Sequence, residues 1–350
     1  MRTPLAFAVF ASALMAVPVT GRCQLAPSPD AAPISHAPAA PADDTSVATF
    51  KVNANLVDLF FTVKDKNNEL VPHLTKNDCT VLEDKAPQTL KSFVAETSLP
   101  LTLGILLDTS GSQQRVLPLE QDAGSQFLER VLRKQDEAFL VSFDVNVDLL
   151  QDFTNSAHEL AHAMNKAQIN TAGGNGGGIA GMGGGTVPTV GDPKGTLLYD
   201  AINLASNEKL NQETGRKAII ILTDGEDEGS RTKIADAIAA ANRNNVIVYI
   251  ILIADREMYW SSGMGYYGYS AAKRISDDTG GRVINVGNNG QKLQAAFDQI
   301  QDELRTQYVA SYTSTNEKLD GGFRKLAVQC GEGNKVAVRK GYYAMAAQQQ

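Results

Sequence analysis

The residues best suited to chemistry lie in three short segments rich in oxygen-bearing side chains. Asp108, Ser110 and Ser112 alternate directly after an apolar run. Thr196 precedes a helical pattern, and Asp224 follows a later apolar run. Carboxylate and hydroxyl oxygens are hard ligands, which suit Mg²⁺ or Mn²⁺ better than zinc. With four His and three Cys in 350 residues, a Cys/His zinc cage has little support. The segments therefore predict a divalent-cation site with oxygen ligands.

Apolar runs that alternate with helical patterns predict the sheet that must hold these segments. Five runs are typical of strands buried on both faces, at residues 101–107, 138–143, 218–222, 246–253 and 283–286. Helical patterns separate or follow them, at about residues 117–133, 157–167, 197–210, 232–243 and 291–305. This alternation predicts an α/β fold, Rossmann-like, with a doubly wound, mostly parallel sheet and flanking helices. Ligands of such sheets bind at the carboxyl ends of the strands, where the three segments are expected to meet.

Taken together, the three segments resemble the metal-ion-dependent adhesion site of von Willebrand factor A (vWA) domains. Asp108-x-Ser110-x-Ser112 is a weak signal alone, but a later Thr and a Thr-Asp-Gly after a buried strand follow in the same order. The resemblance implies that Ser110, Ser112 and Thr196 offer hydroxyl oxygens to Mg²⁺, or to Mn²⁺ or Ca²⁺. Asp108 and Asp224 would hold the cation, often through water. An acidic oxygen of a partner protein would be the last ligand, which is binding and not a reaction.

Strand-like segments on both sides of this region predict a second, smaller unit. They lie at about residues 52–63, 79–83 and 89–94, and again at 307–313, 323–330 and 335–343. Neither group is large enough to be stable alone, so we expect both flanks to join into one small β unit around the inserted domain. The flanks resemble bacterial proteins with VWFA-related domains, in the segment Val71–Asp78 and in Arg339-Lys340-Gly341-Tyr342-Tyr343.

The predicted organisation has five parts: a signal peptide at 1–21, a Pro/Ala-rich linker at 22–49, an N-terminal β segment at 50–98, a vWA domain at 99–306, and a C-terminal β segment and tail at 307–350. The first part rests on Arg2 and the apolar run Leu5–Val19, which is typical of a signal peptide and short for a membrane span. Cys23 raises the question of a lipid anchor, but a lipidated Cys should follow a small residue and here follows Arg22. Export to a periplasm, a cell surface or the exterior is expected, with no integral membrane span in the mature chain.

Two cysteines stand on the apolar phase of alternating strands, one in each flank. In an oxidising compartment Cys79 and Cys330 could form a disulfide that closes the β unit. The alternative is two buried free thiols.

An aromatic segment is predicted to leave the same sheet edge as the cation ligands. Tyr and Trp interspersed with Gly and Ser are typical of recognition surfaces, so we take five side chains as candidates for partner contact: Tyr259, Trp260, Tyr266, Tyr267 and Tyr269. The alternative is that these rings pack over the base of their own loop. A Gly-rich stretch at 173–185 lacks the P-loop pattern and is interpreted as an insertion.

A competing motif is His158-Glu159-Leu160-Ala161-His162, which fits the zinc-protease signature His-Glu-x-x-His. A catalytic zinc needs a third protein ligand, and no His lies further along the chain. The motif also falls where a vWA domain has a surface helix, so a solvated helical face is the preferred interpretation.

Composition narrows the class of partner. The chain is 43% hydrophobic and 20% charged, with a formal net charge of −7 and no basic block, which argues against nucleic acid. The leading hypothesis is a non-enzymatic, exported binding protein for adhesion or envelope assembly, whose partner offers an Asp or Glu carboxylate. A structural scaffold subunit with an unused metal site is the alternative, and a zinc protease is a third.

Overall fold

The computed structural model describes residues 56–95, 99–170, 195–254 and 267–345. The predicted signal peptide, the linker and the Gly-rich stretch lie outside these residues. The described strands are β1 (Leu56–Lys64), β2 (Cys79–Glu83), β3 (Ala86–Gln88), β4 (Leu90–Ala95), β5 (Leu101–Asp108), β6 (Glu137–Phe143), β7 (Val147–Thr154), β8 (Arg216–Thr223), β9 (Val246–Leu252), β10 (Val283–Asn285), β11 (Tyr308–Thr313), β12 (Phe323–Cys330), β13 (Lys335–Val338) and β14 (Gly341–Tyr343). The described α-helices are α1 (Leu117–Val131), α2 (Ala157–Lys166), α3 (Leu198–Leu204), α4 (Ile234–Arg243), α5 (Gly268–Thr279) and α6 (Gly290–Arg305).

A six-stranded sheet forms the centre of the α/β part, in the order β10-β9-β8-β5-β6-β7. Five of its strands run parallel, and β7 pairs antiparallel with β6 at the edge. Every residue of β5, β8 and β9 is buried, which is the reason these strands appear in the sequence as unbroken apolar runs. The predicted doubly wound α/β fold is confirmed.

Helices cover both faces of this sheet, so the sheet separates two hydrophobic cores. One core packs α1, α2 and α6 against the sheet, and Phe127 stacks on Phe297 there with ring centroids 4.6 Å apart. The other packs α3, α4 and α5 against the opposite face. With both faces covered, the loops at the carboxyl edge are the part of the sheet available for a ligand.

The two flanks form a β sandwich around the inserted α/β part. Its sheets have the orders β13-β1-β11-β4 and β14-β12-β2-β3. In each sheet, strands that precede the α/β part pair with strands that follow it, as β1 does with β11 and β2 with β12. Both sheets share one core, which includes Leu59, Phe61, Tyr308 and Val328. The small β unit expected from both flanks is therefore present, while the exact domain boundaries remain a prediction.

A disulfide joins the two flanks inside this sandwich. Cys79 and Cys330 face each other across the β2–β12 pair, and their sulfur atoms are 2.04 Å apart. The bond links residues 251 positions apart in the chain, so it closes the β unit across the whole inserted α/β part.

Four elements differ from the sequence-based expectation, and one of them is the short strand β3, which was not predicted. The segment 335–343 is two strands in different sheets, because the chain crosses between sheets at Arg339 and Lys340. The edge strand β7 is missing from the prediction because its side chains are mostly exposed or half-buried and form no apolar run. Helix α5 is also missing because it begins inside the Tyr/Gly-rich segment, whose composition is not that of a helix.

Buried charged side chains join the sandwich to the α/β part. Arg339 donates to the backbone oxygens of Asn242 (3.2 Å) and Asp58 (3.0 Å). Glu303 of α6 forms ion pairs with Lys64 of β1 (2.8 Å) and with Arg282 (2.9 Å). A buried ion whose partner is removed is strongly destabilising, so these contacts keep the two parts in one arrangement.

Candidate metal centre

The loop after β5 brings three of the predicted ligands together. Asp108 is the last residue of β5 and is fully buried. Its Oδ1 accepts the backbone N–H of Ser110 at 3.0 Å, which turns the chain sharply after the strand. The hydroxyl oxygens of Ser110 and Ser112 lie 3.1 Å apart. One carboxylate and two hydroxyls are thus contributed by a single turn.

The neighbouring strand β8 supplies the second carboxylate at the same edge. Thr223 ends β8, and its hydroxyl donates to Oδ2 of Asp108 at 2.6 Å. Asp224 follows immediately and is 2% exposed. Gly225 has φ of +84°, and a Cβ there would lie 2.8 Å from the backbone oxygen of Gly268. The turn that aims Asp224 therefore requires glycine after it.

Thr196 lies in a segment tied to the loop after β8 and to the residue that follows β6. Its backbone N–H and C=O form a pair of hydrogen bonds with Glu228, at 2.9 and 3.0 Å, just beyond Asp224. The next N–H, that of Leu197, donates to the backbone oxygen of Asp144 at 2.9 Å. Thr196 itself is 7% exposed. Its position next to Glu228 and Asp144 follows from these backbone bonds.

Electrostatics show that acidic groups are crowded in this buried space. The pKa of Asp108 is raised to about 7, first because burial disfavours the charged form and second because Asp224 is close by. Buried carboxylates next to one another are costly without a compensating positive charge. Among the described residues no group of three or more His, Cys, Asp or Glu side chains is arranged to hold a metal ion. The predicted set of two carboxylates and three hydroxyls stays a prediction, and such a set suits a hard divalent cation.

Sequence reasoning gave no role to three buried residues of this region. Asp144, directly after β6, accepts the hydroxyl of Thr109 at 2.8 Å and the side-chain amide of Asn170 at 3.0 Å. Thr223 orients Asp108, as described above. Glu120, in the first turn of α1, is fully buried. Strand-end position could have indicated Asp144 and Thr223, whereas the sequence gives no signal that Glu120 is buried.

The aromatic segment that was predicted for partner contact is described only at its end. Tyr259, Trp260 and Tyr266 lie outside the described residues, whereas Tyr267 and Tyr269 are 75% and 45% exposed. Tyr269 lies in the first turn of α5 and not on a loop.

This end of the segment is fixed against the β8 loop. The Oε1 atom of Glu226 accepts the backbone N–H groups of Tyr267 (2.5 Å) and Gly268 (2.8 Å). Glu226 is two residues beyond Asp224, so these bonds hold the backbone of Tyr267 next to the candidate metal centre. The side chain of Tyr267 extends from there into solvent.

The His-Glu-x-x-His motif lies on α2, and its three key side chains His158, Glu159 and His162 are exposed. Glu159 has a structural role, because its Oε2 accepts the hydroxyl of Thr154 at 2.8 Å and its backbone N–H bonds to Ser156 Oγ at 3.3 Å. These bonds cap the start of α2. The arrangement is that of a solvated helical face.

The fold is an α/β module inserted in a β sandwich, and the order of the candidate ligands along it resembles that of vWA domains. No protein-family model and no curated protein sequence matches the chain. Solved structures similar to it in fold include BatB from Bacteroides thetaiotaomicron, with 19% identity and a TM-score of 0.43, over 59% of this chain and 99% of that one. Proximal thread matrix protein 1 from the mussel byssus, in a form with a zinc-occupied MIDAS motif, has 14% identity and a TM-score of 0.45 over 64% and 50%. The SpRpn10 VWA domain has 14% identity and a TM-score of 0.39 over 57% and 95%.

Proposed function

We propose that this protein is an exported binding module that uses a divalent cation to hold an acidic group of a partner protein. The proposed ligands are Asp108, Ser110, Ser112, Thr196 and Asp224. The observation that carries the proposal is the buried Asp108 carboxylate, which is held by Thr223, lies close to Asp224 and shares its turn with the Ser110–Ser112 pair.

The chemistry of this donor set favours capture of an anion. Three of the five proposed donors are neutral hydroxyls, so a cation held there would keep its Lewis acidity and attract a further oxygen ligand. Asp108 is kept in place by hydrogen bonds to both of its carboxylate oxygens, so the site is oriented before a ligand arrives. A carboxylate from a partner is a hard oxygen ligand that suits the remaining position.

Aromatic side chains next to the centre support a protein partner. Tyr267 is largely exposed, and its backbone N–H is bound to Glu226 in the β8 loop. Tyr combines a large apolar ring with a hydroxyl and has few rotamers to fix, which favours it in binding surfaces. We therefore include Tyr267 and Tyr269 in the proposed contact surface, together with Tyr259, Trp260 and Tyr266.

Export is proposed from two independent features. The apolar run near the start of the chain has the length and flanks of a signal peptide. The Cys79–Cys330 disulfide is a bond that persists in oxidising compartments and is rare in the cytosol. Among the described residues no helix has the length and apolar character needed to cross a membrane. The proposed setting is adhesion or assembly at a cell envelope.

The test is binding to immobilised peptides that each contain one Asp or Glu, next to counterparts with Asn or Gln. Binding is expected in Mg²⁺ or Mn²⁺, and is expected to disappear in EDTA and with the amide counterparts. Asp224→Ala should remove it, whereas Asp236→Ala, an exposed position on α4, should not. Binding that is equal in EDTA, or absent while the cation still stabilises the protein, would favour a scaffold with an unused metal site.

A further inference from the structure

Glu120 is a buried carboxyl group that the five-residue motif does not include. It lies in the first turn of α1, its side chain is fully buried, and neither Oε1 nor Oε2 has a hydrogen-bond partner among the described residues. A buried polar group without a partner is destabilising and rare in native proteins. The burial of Glu120 therefore has to be explained by the groups that surround it.

Glu120 lies close to the turn that carries Ser112, because its backbone N–H donates to the backbone oxygen of Val116 and the N–H of Val116 donates to that of Gln113, both at 3.0 Å. Its pKa is raised well above the usual value, first by burial and then by the negative charges of Asp108 and Asp224. A second unpartnered acceptor lies in the same region, since Gln113 Oε1 is buried without a partner among the described residues while its Nε2 bonds to Ser112 Oγ at 3.4 Å. Glu120 and Gln113 thus both have buried acceptor oxygens without a hydrogen-bond partner among the described residues. Such acceptors are satisfied when a cation, or water bound to a cation, lies close to them.

Ordinary structural roles do not account for Glu120. A carboxylate that caps a helix accepts backbone N–H groups, and no such bond reaches Glu120 within the described residues. A buried carboxylate retained for an ion pair has a cation beside it, as Glu303 has Lys64 and Arg282. No ion pair of that kind reaches Glu120 among the described residues.

We propose that Glu120 is a further acidic residue of the cation site, which strengthens cation binding through its charge and without a direct bond to the ion. The proposal rests on the proposed cation site. The proposal gives Glu120 an effect of charge and not a direct bond, since no three acidic side chains come together as joint ligands in the described ranges. Glu120 is thus a positioning and affinity-setting residue, and not one of the ligands.

A charge effect has a signature that a packing effect lacks. Coulomb energy scales with the charge of the ion, so loss of Glu120 should weaken binding of a trivalent ion more than binding of a divalent one. The lost Coulomb energy is larger for Tb³⁺ than for Mg²⁺ by the ratio of the two ion charges, and the dissociation constant depends exponentially on that energy. If Mg²⁺ affinity falls about tenfold, Tb³⁺ affinity should therefore fall roughly thirtyfold. A change in packing alone would weaken both to the same degree.

The experiment measures Mg²⁺ and Tb³⁺ dissociation constants by calorimetry for the full mature chain and three variants. Glu120→Gln keeps the shape and removes the charge, and Glu120→Asp keeps the charge. Glu129→Gln makes the same substitution at an exposed position of α1. It shows how much affinity is lost when the net charge of the protein changes by one at a position away from the site. Melting temperatures in EDTA, taken for every variant, report folding separately from cation binding.

The expected result is weaker binding for Glu120→Gln, with the larger loss for Tb³⁺, and affinities near wild type for Glu120→Asp and Glu129→Gln. In EDTA, Glu120→Gln should melt close to wild type, because one buried, unpartnered polar group replaces another of the same size. Unchanged affinities in Glu120→Gln, or equal losses for both ions, would overturn the role of Glu120 alone. Failure of wild type to bind either ion would overturn the cation site itself, and this proposal with it.

Discussion

At the scale of single residues, the candidate metal centre contains residues that belong to a local sequence motif and residues that do not. The Asp and Ser residues of the turn, and Asp224, were predicted as ligands from the sequence because their order and spacing resemble a known site. Asp144 has only its strand-end position as a signal and Glu120 has none, because their burial, and the contacts of Asp144, depend on segments that are far apart in the chain. Local sequence patterns carry no information on such contacts.

The pH dependence of the cation-free protein follows from Asp108. Its folded-state pKa of about 7 exceeds the ordinary 3.8, so the folded protein holds a proton that the unfolded chain releases between these values. This contribution to stability is complete below about pH 4 and is lost as the pH rises toward 7. Asp108→Asn cannot ionise at this position and lacks this pH dependence. In EDTA, the melting temperature of Asp108→Asn minus that of wild type should therefore increase by about 5 °C between pH 5 and pH 7.5. A difference between the two proteins that does not change with pH would contradict this assignment.

At the scale of elements, the buried strands were the easiest to predict. Strands β5, β8 and β9 are covered on both faces and are therefore continuous apolar runs. The ends of the helices and the split between β13 and β14 depend on tertiary contacts. Gly341 illustrates this, because a Cβ there would lie 2.3 Å from the backbone oxygen of Arg324 and the same distance from the ring of Phe323.

The start of α5 is predicted to control the metal centre without supplying a ligand. A Cβ at Gly268 would lie 2.4 Å from the backbone oxygen of Asp224, so Gly268→Ala should displace the β8 loop. We expect Mg²⁺ affinity to fall roughly tenfold, which corresponds to about 1.4 kcal/mol, as measured by calorimetry. Gly111→Ala is the matched control, because it lies between two proposed ligands and has no atom within 4 Å of its added Cβ. Equal effects of both variants would argue against the contact.

At the scale of the whole molecule, the sandwich is built from segments separated by the complete α/β part. The sequence indicated this arrangement only indirectly, through two groups of strands that were each too short to be stable. The pairing of particular strands and the buried joint at Arg339 could not be predicted, since they depend on contacts between distant residues.

The disulfide is predicted to stabilise this closure. Because Cys79 and Cys330 are 251 positions apart, the bond restricts a long loop in the unfolded chain. Replacing both by Ala should lower the free energy of unfolding by roughly 3–5 kcal/mol, measured by urea denaturation. A reducing agent should lower the wild-type midpoint in the same way and leave the double variant unchanged. No effect of the reducing agent on wild type would contradict the prediction.

The central claim concerns the cation, and thermal unfolding tests it most directly. A cation that binds only the folded state must stabilise it, by about 2.7 kcal/mol at a hundred times the dissociation constant. For a protein of this size that is a rise in melting temperature of about 4 °C. We predict this rise for wild type on replacing EDTA with Mg²⁺ or Mn²⁺, and its loss in Asp108→Ala. No rise with Mg²⁺, Mn²⁺ or Ca²⁺, or an equal rise in Asp108→Ala, would contradict the claim that these loops form a metal centre.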